Sequence, residues 1–276
     1  MDYSGAFCDG GDYILTGLKN FSLRETLECG QCFRWERLAD NTYEGIVCGL
    51  RRRLSQQGDS LRIHGGGEAE FLSLWRGYFD LGRDYGALKE LFSPFEPLRR
   101  AVEYSPGLRV LRQEPFETLC TFILSQNNNI PRIGGLVKRL CELLGEQLAG
   151  GGYAFPQPQA FAGKTAEDLS PVRSGFRAGY LVDAAQKTLS GELPLRELSL
   201  LPLEESLRLL KTVRGVGPKV AACTLLYGCG RAECVPVDVW IGRALEAWFP
   251  GGLPEEIAPV AGIAQQYLFH YARMSL

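Results

Sequence analysis

The chain has 276 residues, 45% of them hydrophobic, and 30 basic against 32 acidic side chains leave a formal net charge of -2. That length and apolar content suffice for one large or two modest packed domains, while the near-balanced charge announces no nucleic-acid partner through bulk electrostatics. No run of about 18 uncharged apolar residues occurs, and MDYSGAFCDG lacks a basic stretch followed by an apolar one, which predicts no membrane span and no secretory signal.

In chain order, residues 12 to about 64 hold short alternating segments: YILTGL, CFRWERL, TYEGIVCGL, RRRLSQQ and SLRIHG. Turn residues such as Asp40-Asn41 and Gly58-Asp59 punctuate them, which predicts an antiparallel meander. From Glu68 the period becomes helical, with Phe71, Leu74, Trp75 and Tyr78 on one face. The segments LRVLRQEPFETLCTFILSQ, RIGGLVKRLCELLG, AGYLVDAAQKTL and ESLRLLKTV repeat that period, separated by breaks at residues 93–97, 150–159 and 249–256. The expected fold is α+β: an N-terminal antiparallel sheet domain over 1–98 and a mainly helical domain over 99–276.

The segment at 210–248 carries the chemistry. It parses as helix, tight hairpin, helix, extended turn and helix. Gly215 and Gly217 permit positive φ and close approach of another backbone, and Pro218 suits the first turn of the next helix. Amides pointing out of such a hairpin suit a DNA phosphate, directly or through a cation held by hairpin carbonyls. Neither a dinucleotide-binding fingerprint nor a P-loop fits GVGPK. Lys219 follows in the first helical turn, where the dipole disfavours an ammonium and leaves an amine able to attack a sugar carbon. Cys223, four residues on, shares its helix face. Asp238, in Val-Pro-Val-Asp-Val, is placed to cap the helix that starts near Val239 and so to have its carboxylate fixed. Separately, each reads as a surface lysine or a capping aspartate. Together they suit cleavage of an N-glycosidic bond, in which a carboxylate stabilises an oxocarbenium-like sugar while a nucleophile captures its C1'.

Nine cysteines, an odd number, read as reduced thiols in the absence of an export signal. Cys29 and Cys32 form one CxxC without a second pair, and Cys223, Cys229 and Cys234 are spaced irregularly, so no metal site is expected. Arg51, Arg52 and Arg53, with Arg132, Lys138, Arg139, Arg173 and Arg177, are local candidates for phosphate contact.

These residues resemble the helix-hairpin-helix superfamily of DNA glycosylases, with its Gly/Pro-rich loop and aspartate, and within it the 8-oxoguanine DNA glycosylases. The likeness extends in order through ECGQCFRW (28–35), WRGYFDL (75–81), FILSQNNNIPRI (122–133), SGFRAGYL (174–181), VRGVGPKVAACTLLYGCGRAECVPVDV (213–239) and AQQYLF (264–269). The resemblance implies a bifunctional DNA glycosylase/AP lyase of base excision repair, two helical lobes with the lesion pocket between them, Lys219 as Schiff-base nucleophile and Asp238 as catalytic carboxylate. It implies that the Gly30 carbonyl accepts a hydrogen bond from N7-H of the lesion, which guanine lacks. Cys223 and Phe269 would sandwich the extruded base, and Gln265 would bond its Watson-Crick edge. Asn127, Arg132 and Arg177 would fill the vacated space and hold the orphaned cytosine, with Phe176 as the wedge.

The chain departs from the pattern it resembles at Trp240, where the better-known family members carry a histidine, and at Phe176, where a tyrosine is common. No cysteine follows Cys234, so no iron-sulfur cluster is expected, and no cofactor beyond a hairpin cation. The expected partner is duplex DNA containing oxidised guanine, met by a monomer. The expected location is intracellular: cytoplasm or nucleoid in a prokaryote, nucleus in a eukaryote. Two rival readings are an alkylated-base glycosylase, whose members work with water and have no lysine at the position of Lys219, and a non-catalytic helix-hairpin-helix module that binds DNA without base release. A histidine-based enzyme is disfavoured, because His64 falls at a strand-turn and His270 in a terminal helix without a nucleophile motif nearby.

Overall fold

The alternation of the first 64 residues folds into a six-stranded antiparallel sheet; the computed structural model describes residues 2–275. Strands β1 (Gly5–Asp9), β2 (Asp12–Thr16), β3 (Trp35–Ala39), β4 (Thr42–Val47), β5 (Leu50–Gln57) and β6 (Ser60–His64) lie in the order β1-β2-β6-β5-β4-β3. Only β3 to β6 form a meander. Strand β2 pairs instead with β6, Tyr13 opposite Ile63 and Leu15 opposite Leu61, and β1 adds outside it. Strand β1 lies before the alternating stretch because its residues are mostly exposed, which leaves no period of two in GAFCD. Strands β4 and β6 do alternate, burying Tyr43 and Val47, and Leu61 and Ile63. Gly45 in β4 is required by a close approach: a Cβ there would lie 2.5 Å from ring carbons of Trp35.

Helix α1 (Leu23–Glu28) occupies the crossover between β2 and β3, capped by Ser22, whose Oγ accepts from the Glu25 amide at 3.3 Å. After the sheet, α2 (Glu68–Glu70) widens into a π-turn over Phe71–Trp75 and closes as α3 (Arg76–Tyr78). This run buries Phe71, Trp75, Tyr78 and Phe79, with Trp75 Nε1 donating to Glu70 Oε1 at 2.7 Å and Trp35 Nε1 to the Tyr78 hydroxyl at 2.8 Å. Helix α4 (Tyr85–Phe92) starts at the Asp84 cap, and α5 (Glu96–Tyr104) follows the Pro-rich break with Pro97 in its first turn.

The helical period expected through LRVLRQE is not realised. The helix begins only at Pro115, and residues 108–114 run without regular structure. Pro115 lacks the amide that would continue a helix from upstream, and it biases Glu114 to an extended conformation (φ -67, ψ 130). Leu108, Arg109, Val110 and Leu111 are nonetheless buried, so three of their amides find side-chain acceptors: Thr26 Oγ1 for Arg109, the Tyr85 hydroxyl for Val110 and Gln31 Oε1 for Leu111. The Arg109 guanidinium, with no exposed surface, pairs with the Asp2 carboxylate at 2.7 Å, donates to the Phe79 and Asp80 carbonyls, and lies 3.9 Å from the centre of the Tyr85 ring. A buried charge is tolerable only when its donors are used this fully.

The remaining helices are α6 (Pro115–Ser125), α7 (Ile130–Leu144), α8 (Arg177–Ser190), α9 (Leu203–Leu210) and α10 (Pro218–Cys223), which runs into a π-turn over Thr224–Gly228, then α11 (Val239–Trp248) and α12 (Ala261–Ser275). The chain packs as two compact units: Met1–Gly45, Arg52–Arg112 and Val237–Leu276 in one, Ile46–Arg51 and Gln113–Pro236 in the other. In the second, α6 is buried along nearly its whole length, with Phe116 edge-on to Phe161 and Phe122 stacked on Tyr227 at 5.4 Å. The turn between β4 and β5 groups with this unit, where Arg51 Nη1 donates to the Gly150 carbonyl at 2.6 Å. In the first, α12 buries Ile263, Ala264, Tyr267 and Leu268, and the Tyr267 hydroxyl donates to the Leu108 carbonyl at 2.8 Å. Among the described residues no helix is long and apolar enough to cross a membrane.

Candidate active site

In the second unit, the turn between α9 and α10 is the expected hairpin. Gly215 has φ +76, and a Cβ there would collide with the Tyr180 ring at 2.2 Å, so conformation and packing both require glycine. Gly217 differs from expectation: its φ is -93, within reach of any residue, and nothing lies within 4 Å of where its Cβ would be. The hairpin is braced from α8, where Asp183 accepts from the Arg214 amide at 2.8 Å and Lys187 donates to the Thr212 carbonyl. The first bond of α10 runs from the Ala221 amide to the Gly217 carbonyl, so the amides of Gly217, Lys219 and Val220 precede its ladder.

Lys219 is half-buried in that first turn. Its Nζ lies 3.5 Å from Ser125 Oγ and 4.7 Å from the centre of the Phe122 ring, and it forms no ion pair among the described residues. The Ser125 hydroxyl donates in turn to the Phe122 carbonyl at 2.8 Å, which aims an oxygen lone pair at the amine. Cys223 closes the same helix, almost wholly buried.

The loop joining α6 to α7 is built around Asn127, exposed and in the left-handed region at φ +49. Asn129 caps α7 by accepting from the Arg132 amide at 3.0 Å, and Arg132 itself is exposed. Arg177, which the resemblance assigns to the vacated space and the orphaned cytosine, is largely buried, with Nε and Nη2 donating to the Gln126 carbonyl and Nη1 to the Ser174 carbonyl at 3.1 Å. Burial, and then the like charge of Arg132, hold Arg177 below its ordinary pKa. Phe176 is 59% exposed, with the Arg177 guanidinium 4.4 Å from its ring centre and Tyr180 edge-on at 5.6 Å. An exposed phenylalanine braced by a cation and a second ring is a rigid apolar projection. The structure therefore brings Asn127, Phe176 and Arg177 to one neighbourhood through the Gln126 carbonyl.

In the first unit, Asp238 caps α11: Oδ1 accepts from the Ile241 amide at 2.9 Å, which leaves Oδ2 without a partner among the described residues. Trp240 stands beside Arg243, the guanidinium 5.5 Å from the indole. Gly30 takes φ +88 in the turn after α1. On α12, Gln265 is 3% exposed and its Oε1 has no hydrogen-bond partner among the described residues, while Phe269 is half-buried with the Arg273 guanidinium 5.6 Å from its ring centre. A buried acceptor left unpaired is costly, and sites that await a ligand are where such groups are retained. Burial, with Arg273 nearby, lowers the pKa of His270 on the same helix. No group of three or more His, Cys, Asp or Glu suited to a metal occurs among the described residues.

Reasoning from sequence missed Phe122, Ser125, Gln126, Gln31 and Gln266 as partners of these groups, although all five lie inside the motifs that pointed here.

Two family descriptions match adjoining stretches of the chain: "8-oxoguanine DNA glycosylase, N-terminal domain" over residues 13–119 and "HhH-GPD superfamily base excision DNA repair protein" over residues 120–256. The Arabidopsis thaliana protein N-glycosylase/DNA lyase OGG1 is 32% identical over 232 residues, covering 78% of this chain and 63% of that protein. The chain thus spans a little under two thirds of this plant relative. Among solved structures, MBOgg1 in complex with a low-affinity DNA ligand superimposes with TM-score 0.93 at 40% identity, over 100% of this chain and 99% of that one. The Clostridium acetobutylicum 8-oxoguanine glycosylase/lyase, in complex with double-stranded DNA containing cytosine opposite 8-oxoG, does so with TM-score 0.93 at 35% identity and the same coverage.

Proposed function

Because the chain belongs to the 8-oxoguanine DNA glycosylases of the HhH-GPD superfamily, we propose that it excises 8-oxoguanine from duplex DNA and then cleaves the strand at the resulting abasic site. One observation carries the choice of chemistry: a half-buried primary amine, Lys219, stands in the first turn beyond the hairpin, unpaired by any carboxylate among the described residues. A glycosylase that works with water needs no such group.

In this reading the Lys219 amine, in its unprotonated form, attacks C1', the glycosidic bond breaks, and its electron pair leaves with the base. The Asp238 carboxylate, held by its cap bond, stabilises positive charge on the sugar. Ring opening and loss of the amine protons give an imine. The imine acidifies the C2' proton, whose removal expels the 3' phosphate, so strand cleavage follows from the same covalent species.

Gly30 and Gln265 read the lesion, and Cys223 and Phe269 pack its faces. The Gln265 acceptor, buried and unpartnered, fits a group that awaits a base edge. Asn127, Arg132 and Arg177 attend the vacated space and the cytosine, and Phe176 is the wedge; its exposure supports that role. Amides at Gly215 and Gly217 hold a phosphate. The open space at Gly217 suits that approach, and a cation on the hairpin carbonyls would assist it without entering the chemistry. The functional division runs 1–98 and 99–276, with every one of these residues except Gly30 on the second side.

Borohydride trapping tests the reading. Wild type should form a covalent adduct with an 8-oxoguanine:cytosine duplex, and Lys219→Gln should form none; an adduct retained in the variant would refute the assignment.

A further inference from the structure

We propose that Gln31 and Gln266 are positioning residues that hold the Gly30 carbonyl rigid, so that it repels guanine as well as accepting from 8-oxoguanine; the inference rests on the reading of Gly30 given above.

Gly30 lies in a turn pinned on both flanks by buried carboxamides. On the upstream side, Gln266, fully buried on α12, donates from Nε2 to the Cys29 carbonyl at 3.3 Å. On the downstream side, Gln31 is 1% exposed, and its Nε2 donates to the Thr26 carbonyl at 2.8 Å and the Arg109 carbonyl at 2.7 Å. Its Oε1 accepts from the Leu111 amide at 2.9 Å. Arg109 is itself immobilised through its guanidinium, so Gln31 is anchored to a fixed point. Rotation of the Cys29–Gly30 peptide would unpair the Cys29 carbonyl, and displacement of Gln31 would unpair its buried carboxamide, in an interior with little water to replace those bonds. Gln266 also adjoins Gln265, so one hydrogen bond couples the turn bearing Gly30 to the helix bearing the unpartnered Gln265 acceptor.

Rigidity is what the chemistry requires. Guanine differs from the lesion at this point by presenting a lone pair at N7 instead of a hydrogen. A mobile carbonyl would swing away from that lone pair and tolerate guanine. A fixed one keeps the repulsion, and it also presents the correct angle to N7-H of the lesion.

The test compares two reactions of the full-length protein under single-turnover conditions: excision from an 8-oxoguanine:cytosine duplex, and strand cleavage at a preformed abasic site. The second uses the lysine chemistry but has no base to read. Gln31→Met and Gln266→Met should each slow excision about ten-fold, the equivalent of one well-aligned hydrogen bond. Cleavage at the abasic site should change by less than about two-fold. Gln31→Met gives up the bonds to Thr26, Arg109 and Leu111; where it fails to fold, Gln266→Met, which gives up the bond to the Cys29 carbonyl, decides the matter. An equal fall in both reactions would mark a merely structural role and overturn the proposal, as would no change in either. Should wild type cleave abasic sites yet leave 8-oxoguanine in place, the lesion reading itself fails, an outcome distinct from failure of the variants alone.

Discussion

Gly215 gives way to Tyr180: at φ +76, a Cβ on Gly215 would stand 2.2 Å from two carbons of the Tyr180 ring. Gly217, two residues on, has φ -93 and open space where a side chain would begin. The two hairpin glycines are therefore present for different reasons, and substitution should separate them. Gly215→Ala should lower the unfolding free energy by about 1–3 kcal/mol, through strain and overlap. Gly217→Ala should change stability by under about 0.5 kcal/mol and weaken duplex binding roughly ten-fold, since its methyl group would occupy the space a phosphate needs. Urea unfolding and duplex affinity at one fixed salt concentration check both.

In the proposed mechanism Asp238 both caps a helix and stabilises the sugar, and asparagine can do only the first. The cap bond to the Ile241 amide needs an oxygen, which Asn supplies as well as Asp. Asp238→Asn should therefore stay within about 0.5 kcal/mol of wild type in stability while excision falls on the order of 100-fold. Asp238→Ala should show the same loss of rate and, in addition, about 1 kcal/mol of lost stability. Thermal melts with single-turnover rates on the same preparations distinguish the two roles; an Asn variant as active as wild type would remove the carboxylate from the mechanism.

Acid stability should carry a mark from His270. Burial and Arg273 lower its pKa from 6.5, with Glu28 opposing, so the folded chain keeps the imidazole neutral over a range where the unfolded chain protonates it. This contribution is fully present above the unfolded value of 6.5 and is lost as pH falls below it, through the lower folded pKa. The ring is only half-buried, so the effect is on the order of 1 kcal/mol or less. His270→Phe, which keeps an aromatic ring beside Tyr104, should flatten the dependence of the urea midpoint between about pH 5 and pH 7.5.

What could be read from sequence was local. The hairpin and helix start at Lys219 and the helix cap at Asp238 were legible because each follows from neighbouring residues. The meander from β3 to β6 was legible from its alternation, as was the helical period of α7, α8 and α9. The pairing of β2 with β6 was not, since nothing in Tyr13 specifies Ile63 as its partner. Residues 108–114 carried a helical period but were claimed by side chains from elsewhere, a tertiary preference that overrides the local one. The return of residues 237–276 to the first unit, and the bond from Gln266 to Cys29, join parts of the chain too distant for any short motif to link. Arg177 shows the limit within the site: its motif indicated a function, but only the folded chain shows its guanidinium turned inward to Gln126.

The thiol beside Gly30 has a bearing on survival. Cys29 has no exposed surface and burial pushes its pKa up to about 12, as it does for Cys229 and Cys234. Peroxides attack the thiolate, and a sulfur kept protonated in a dry interior offers them little to react with. If the chain works as proposed, it meets DNA that oxidants have already reached, and the sealed sulfur keeps the turn bearing Gly30 out of their way.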